Sequence, residues 1–430
     1  MKAARYACLV SLAALCLVPC ALAAPWQTFL GMGDADAACG VAVDTAGDVL
    51  AVGGAERAGG LDGFVVKLSP DGSRVWALYL GGDGEDWLYD VAVDAQDNVF
   101  VCGESDSYRT SRSGVLWKLA PDGAVLWRKD WNSYYDDTFV GVAVDSQGCA
   151  IVNGYSQFEW GNWGGLAIKY DPDGVKLWQY FYGGELFDDW GSGVAVDPAD
   201  NVILTGTTNM GYWLGPHYAN LDPFVLKLTP DGEFLWGYLG VGYYNEMGRD
   251  VAVDAEGTIY ITGETMTPGG LWMDPPLNEY GGGWDAYLLK LTPDGEFAWS
   301  RFVGGADLEI GWGIDASRGV ALTGTTESRD LFAHTAPGGA ADTLMHTARA
   351  GTTWSRTWPR SFGIESEEGR AVARGQDGAL IVAGHADGRA FVFSQPAAGM
   401  ATRRSRTEMI DGHHDYQRPA RAGGLPRPAQ

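Results

Sequence analysis

Short apolar runs rich in Val, Ile and Leu, each closed by glycine, return along this chain roughly every 50 to 60 residues. They read GVAVDTAGDVLAVG to Gly53, DVAVDAQDNVFVCG to Gly103, GVAVDSQGCAIVNG to Gly154, GVAVDPADNVILTG to Gly206 and DVAVDAEGTIYITG to Gly263. Two weaker copies follow, WGIDASRGVALTG to Gly324 and VARGQDGALIVAG to Gly384. Counted from Asp44, Asp94, Asp145, Asp197, Asp254, Asp315 and Gly375, the closing glycine stands nine residues on in every unit. A constant spacing across polar turn residues predicts a hairpin of fixed register, because a slip of one residue would turn the apolar side chains to the wrong face.

A second pattern alternates with the first: DGFVVKLSPDGSRVW, SGVLWKLAPDGAVLW, GGLAIKYDPDGVKLW, DPFVLKLTPDGEFLW, DAYLLKLTPDGEFAW and the weaker DTLMHTARAGTTW. Proline presets φ at the turn and glycine supplies its left-handed position, so the pattern reads strand, turn, strand. From Lys67, Lys118, Lys169, Lys227 and Lys290 the next tryptophan, Trp76, Trp127, Trp178, Trp236 or Trp299, is always nine residues away. Each unit therefore carries four short antiparallel strands, A to D, with the D-strand tryptophans expected in the core. Seven such units predict an all-β fold, a seven-bladed β-propeller of four-stranded antiparallel blades. A tandem β-sandwich and a β-helix are the alternatives. A lone D-like strand at Trp26–Leu30 and a seventh unit that lacks its D strand predict that the N-terminal strand closes the ring.

These motifs resemble the SBBP-type bacterial β-propeller repeat, over roughly residues 26 to 395 and most specifically in the first five units. Units six and seven depart from it, with His346 in place of the strand C lysine and Gly375 in place of the turn aspartate. The resemblance implies a secreted or surface-associated propeller. It implies no single activity, since the family has none established.

Composition adds address and excludes partners. The chain has 430 residues, too many for a mini-protein scaffold, and 62 glycines, spread throughout, work against long helices. Its formal net charge of -25 repels nucleic acid and anionic lipid, while 18 tryptophans are too many for a disordered chain. Residues 1–23 read as a signal peptide: Lys2 and Arg5, an apolar run, then Ala21-Leu22-Ala23 as cleavage site. Cleavage at a lipoprotein Cys20 is the alternative, with Pro19 against it. No second apolar stretch of spanning length follows, so the expected address is secreted, extracellular or periplasmic, or at the cell surface. Residues 24–397 form the expected propeller, and 398–430 an Arg- and Pro-rich disordered tail. Cys39, Cys102 and Cys149 remain in the mature chain and are expected as buried thiols without a bridge.

Two features fall on the face that carries the B–C loops and the D–A links between blades. The first is a carboxylate eight residues before each turn position: Asp36, Asp86, Asp137, Asp189, Glu246, Asp307 and Glu367. Such residues serve either as struts accepting backbone N–H bonds in the D–A links or as an acidic ring drawing a cation such as Ca²⁺. No other cofactor is implied. The second is a set of aromatic residues in B–C loops that lengthen through blades 3 to 5: Tyr155, Phe158, Trp160 and Trp163; Tyr212, Trp213, His217 and Tyr218; Trp272, Tyr280 and Trp284. They form either a satellite cluster or a ligand platform, the expected binding residues being Trp160, Trp163, Tyr212, Trp213, Tyr218, Trp272 and Trp284.

Motifs for hydrolases, zinc proteases, phosphate loops and thiol redox centres are missing from the sequence, so no catalytic residue is assigned. The reading is a binding or display module for a glycan or peptide, with an extracellular polysaccharide or protein as partner. A purely structural surface protein and a carbohydrate-active enzyme are the competing classes.

Overall fold

The structure, a computed structural model, describes residues 26–30, 36–57, 60–107, 111–159, 161–183, 187–209, 221–240, 242, 244–268, 279–328, 342–348, 355–360 and 367–395. The segments read as signal peptide and tail lie outside the described residues. Those that are described form 28 strands in seven four-stranded antiparallel sheets, with no helix long and apolar enough to cross a membrane. Each sheet follows the order A-B-C-D. The A strands are Ala37–Val43, Asp86–Val93, Asp137–Val144, Asp189–Val196, Glu246–Val253, Glu309–Asp315 and Glu367–Arg374. Neighbouring A strands lie side by side around the centre, that of blade 1 against that of blade 7. The chain is a closed seven-bladed β-propeller.

Closure uses the N-terminal strand, as its sequence predicts. Trp26–Phe29 pairs with Arg389–Gln395, placing Trp26 opposite Ser394 and Phe29 opposite Phe391. The B and C strands are buried on both faces because each blade is covered by a neighbour on either side, which is why their sequences are continuously apolar.

The Lys-to-Trp spacing now has a physical cause. Lys118 Nζ and Trp127 Nε1 both donate to the carbonyl of Pro172 in the next blade's Pro-Asp-Gly turn, each at 3.0 Å. Lys169 and Trp178 converge likewise on Pro230 at 3.0 and 2.9 Å. Trp26 donates to Pro70 at 2.8 Å and so carries the same link across the ring closure. The lysines also pair with their own turn aspartates, Lys67 with Asp44 at 2.7 Å and Lys169 with Asp145 at 2.8 Å. Asp145 in turn caps its hairpin, Oδ1 accepting from the N–H groups of Gln147 and Cys149 at 2.9 Å.

Three expectations need correction. The described D-strand tryptophans, Trp26, Trp76, Trp127, Trp178, Trp236 and Trp299, are half-buried struts between blades and not core. In blade 6 Asp315 pairs with Ala321, the position that Ala252 holds opposite Tyr260 in blade 5. Its A–B turn is shorter, and the nine-residue spacing there is coincidence. The carboxylate of blade 6 is consequently Glu309, buried opposite Thr326, while Asp307 lies exposed in the D–A link. The cysteines are free thiols, with Cys102 and Cys149 buried and Cys39 only half-buried.

Candidate functional site

Every A strand carries a β-bulge three residues after its buried carboxylate, leaving Cys39, Tyr89, Val140, Ser192, Arg249, Trp312 and Arg370 out of the pairing. A bulge re-aims the side chain it frees. All seven line one cavity of about 580 Å³, at the end of the central channel where the A strands begin. Trp87 and Trp190, each next to a buried carboxylate, complete the wall with Tyr155, Thr207 and His385, each just after a closing glycine. Gly54 holds the last of these positions in blade 1. A Cβ there would come within 2.3 Å of the Trp87 ring, so glycine makes room for the indole.

The wall is divided by chemistry. Blades 2 to 4 contribute Trp87, Tyr89, Tyr155 and Trp190, and blades 5 to 7 contribute Arg249, Trp312, Arg370 and His385. Arg249 donates through Nε to Glu264 at 3.0 Å and also through Nη2, and its guanidinium stacks 4.5 Å from the Trp312 ring centre. Arg370 pairs with Glu368 at 2.7 Å and stacks 3.9 Å from the same ring. Trp312 Nε1 donates to Thr325 Oγ1 at 3.0 Å, which fixes the indole between two cations.

Asp90 and Asp250 form part of the lining at positions where Gly40, Gly141, Gly193, Gly313 and Ala371 stand in the other blades. Each bridges to the next A strand: Val142 N–H donates to Asp90 and Ile314 N–H to Asp250, both at 2.9 Å. Burial pushes Asp90 up to about 6. It pushes Asp250 up to about 7, the Asp90 charge adding to the effect.

The carboxylates named from sequence are buried, Asp307 apart, and Asp36, Asp86 and Asp137 hold backbone. Asp86 accepts from Gly82 N–H at 2.9 Å, Asp137 from Ser133 N–H at 2.6 Å and Glu309 from Gly305 N–H at 2.7 Å, all in D–A links. Asp36 accepts from Glu56 N–H at 3.0 Å, and Glu246 is held by the Thr267 hydroxyl. Asp189 and Glu367 are buried in the same ring. Among the described residues no three His, Cys, Asp or Glu side chains come together to hold a metal ion.

Residues 75–109, from the outer strand of blade 1 into the B–C loop of blade 2, match the β-propeller repeat called SBBP. The likeness is to one repeat unit of a propeller. An uncharacterised WD repeat-containing protein of Acanthamoeba polyphaga mimivirus is 25% identical over 217 residues, covering 46% of this chain and only 14% of that protein. Among solved structures, an ulvanlyase of a new polysaccharide lyase family superposes with a TM-score of 0.50 at 11% identity, over 86% of this chain and 96% of the other. The WD40 domain of Neurospora crassa Pan2 gives 0.49 at 12% identity, over 86% and 95%. At these identities the likeness is one of fold alone.

The SBBP repeat contains Asp86, Trp87, Tyr89, Asp90 and Glu104, so blade 2 illustrates the whole site pattern. Of the loop aromatics, Trp160, Tyr212, Trp213, Tyr218 and Trp272, with His217, lie outside the described residues. Trp163 is half-buried, edge-on to Tyr155 at 5.2 Å, and Trp284 is half-buried in a bridge to Leu308. Phe158 packs on Phe181 and Tyr280 on Phe302, both partners belonging to D strands. Loop length and aromatic content did not single out the bulge residues. The position three after the carboxylate differs in every blade but for its two arginines, yet the position one after it differs in every blade but for two tryptophans, so variation alone did not mark the bulge.

Proposed function

We propose that this protein is a propeller-type binding module that takes a carbohydrate in the mouth of its central channel. One observation carries the reading: seven bulged side chains, one from each blade and of six different kinds, converge on a single cavity. Structural positions are repeated because every blade needs them, whereas a ligand needs a different group on each side. Indole and phenol rings offer faces to the apolar faces of sugar rings, and buttressed guanidinium groups offer directional donors. With residues 1–23 read as an export signal, the carbohydrate belongs to an extracellular polymer.

Isothermal titration of the mature protein with defined oligosaccharides tests this. Binding is expected, with Trp190→Ala about tenfold weaker, since a ring stacked on a sugar contributes roughly 0.5–1.5 kcal/mol beyond its buried area. The exposed Tyr244→Ala serves as control. If no saccharide binds, or Trp190→Ala binds as the parent does, the reading fails.

A further inference from the structure

The groups on the cavity wall sort unevenly into donors and acceptors. Asp90 accepts from Val91 and Val142 N–H groups, and Asp250 from Val251 and Ile314. Both carboxylates are therefore committed to backbone. Glu264 accepts from Arg249 and is committed as well, while Glu368 is ion-paired with Arg370 at 2.7 Å, its charge met although its Oε2 has no hydrogen-bond donor among the described residues. Ser192 donates its hydroxyl to Gly248 O at 2.9 Å.

The donors are not used up in the same way. A guanidinium has five N–H donors. Arg249 spends Nε and Nη2, which leaves Nη1 with no partner among the described residues. Arg370 is paired with Glu368 through Nη2 and has no other hydrogen-bond or ion-pair partner among the described residues. His385 Nδ1 is buried at the wall without a hydrogen-bond partner among the described residues, its Nε2 3.9 Å from Glu368; burial lowers its pKa, and a neutral imidazole offers one donor and one acceptor nitrogen, so it counts on neither side. Both guanidinium groups lie within 4.5 Å of the Trp312 ring centre and are tied to carboxylates, so their unspent edges are held in place and little freedom remains to be lost on binding. The opposite wall, Trp87, Tyr89, Tyr155 and Trp190, is aromatic.

From this asymmetry we infer that the ligand is an acidic sugar, a hexuronate residue whose carboxylate is received by Arg249 and Arg370 while its ring lies toward Trp87 and Trp190. The inference rests on the carbohydrate reading above. A neutral sugar would leave the unspent N–H donors of Arg249 and Arg370 without a charged acceptor, and an inorganic anion would leave the aromatic wall uncovered.

Titration of the mature protein with an oligogalacturonate, its methyl ester, a neutral oligosaccharide of equal length and sodium sulfate separates the cases. The free acid is expected to bind at least about tenfold more tightly than its methyl ester, as charge-assisted hydrogen bonds require. Arg249→Gln and Arg370→Gln should each abolish that preference at unchanged circular dichroism. Equal binding of acid, ester and neutral sugar would overturn the inference and leave the carbohydrate reading standing. Binding of sulfate as tight as that of the uronate would also overturn it. If no saccharide binds, both fall. The acid-versus-ester comparison needs no variant, so a variant that fails to fold does not rescue the idea.

Discussion

Asp250 is the clearest case of a residue that works against its surroundings. It is buried beside the channel with its pKa raised from 3.8 to about 7, so between those values the folded chain holds a proton that the unfolded chain releases. Stability contributed by the protonated form is present at low pH and declines as pH rises through that window, by about 1.4 kcal/mol per unit for one proton. Asp222, raised to about 7, and Glu246, raised to about 8, act in the same direction. Melting temperature is therefore expected to fall from about pH 5 to pH 8 in Asp250→Asn less steeply than in the parent, read by calorimetry. Parallel curves would show that Asp250 does not titrate in this range. Lys169 is the contrasting case, since it is buried but satisfied by Asp145 and Pro230. Lys169→Met strands a buried carboxylate and should cost about 3–5 kcal/mol in denaturant unfolding. A loss under about 1 kcal/mol would mean that the pair contributes little, as exposed pairs do. At this scale the Lys and Trp positions were legible as a spacing. Their shared target was not, because Pro172 belongs to the next repeat and only closure brings it near.

At the scale of the strand, the periodic pattern predicted the blades because each strand has a local signature: apolar runs, an Asx-capped turn, a Pro-Asp-Gly turn. The bulges escaped notice because a bulge inserts one residue without changing the apolar pattern on either side. Arg249 and Trp312 read from sequence as ordinary strand residues. Asp315 misled for the opposite reason, because a shortened turn preserved the count while shifting the alignment. The strand Trp26–Phe29 makes its own prediction. Residues 26–30 contribute the fourth strand of blade 7 and the Trp26 link to Pro70. Deleting them should lower the melting temperature of the whole ring, and a synthetic peptide of residues 24–31 should restore part of it. A deletion variant that melts with the parent would show that closure rests on the A strands alone.

Over the whole molecule, turn carbonyls such as Pro172 bind blade to blade on one face from the ring closure round to blade 5, and nearer the other face Asp90 binds blade 2 to blade 3 and Asp250 blade 5 to blade 6. The ring should therefore unfold as one unit, with calorimetric and van't Hoff enthalpies in agreement. A separate early transition for blades 6 and 7, where the repeat pattern is weakest, would contradict this. Strand closure has a further consequence, which concerns time. The segment that completes blade 7 is among the first described residues to leave the ribosome, yet Phe391 to Ser394, which it pairs with, come at the far end of the same blade's sequence. A pairing of such sequence separation forms late. For nearly the whole of its synthesis Trp26–Phe29 has no strand to pair with, and a second nascent chain that has finished its own residues 389–395 could accept it in place of the proper one. Exchange of this strand between copies is then the characteristic assembly error of the chain, one that would yield linked rings with every blade complete.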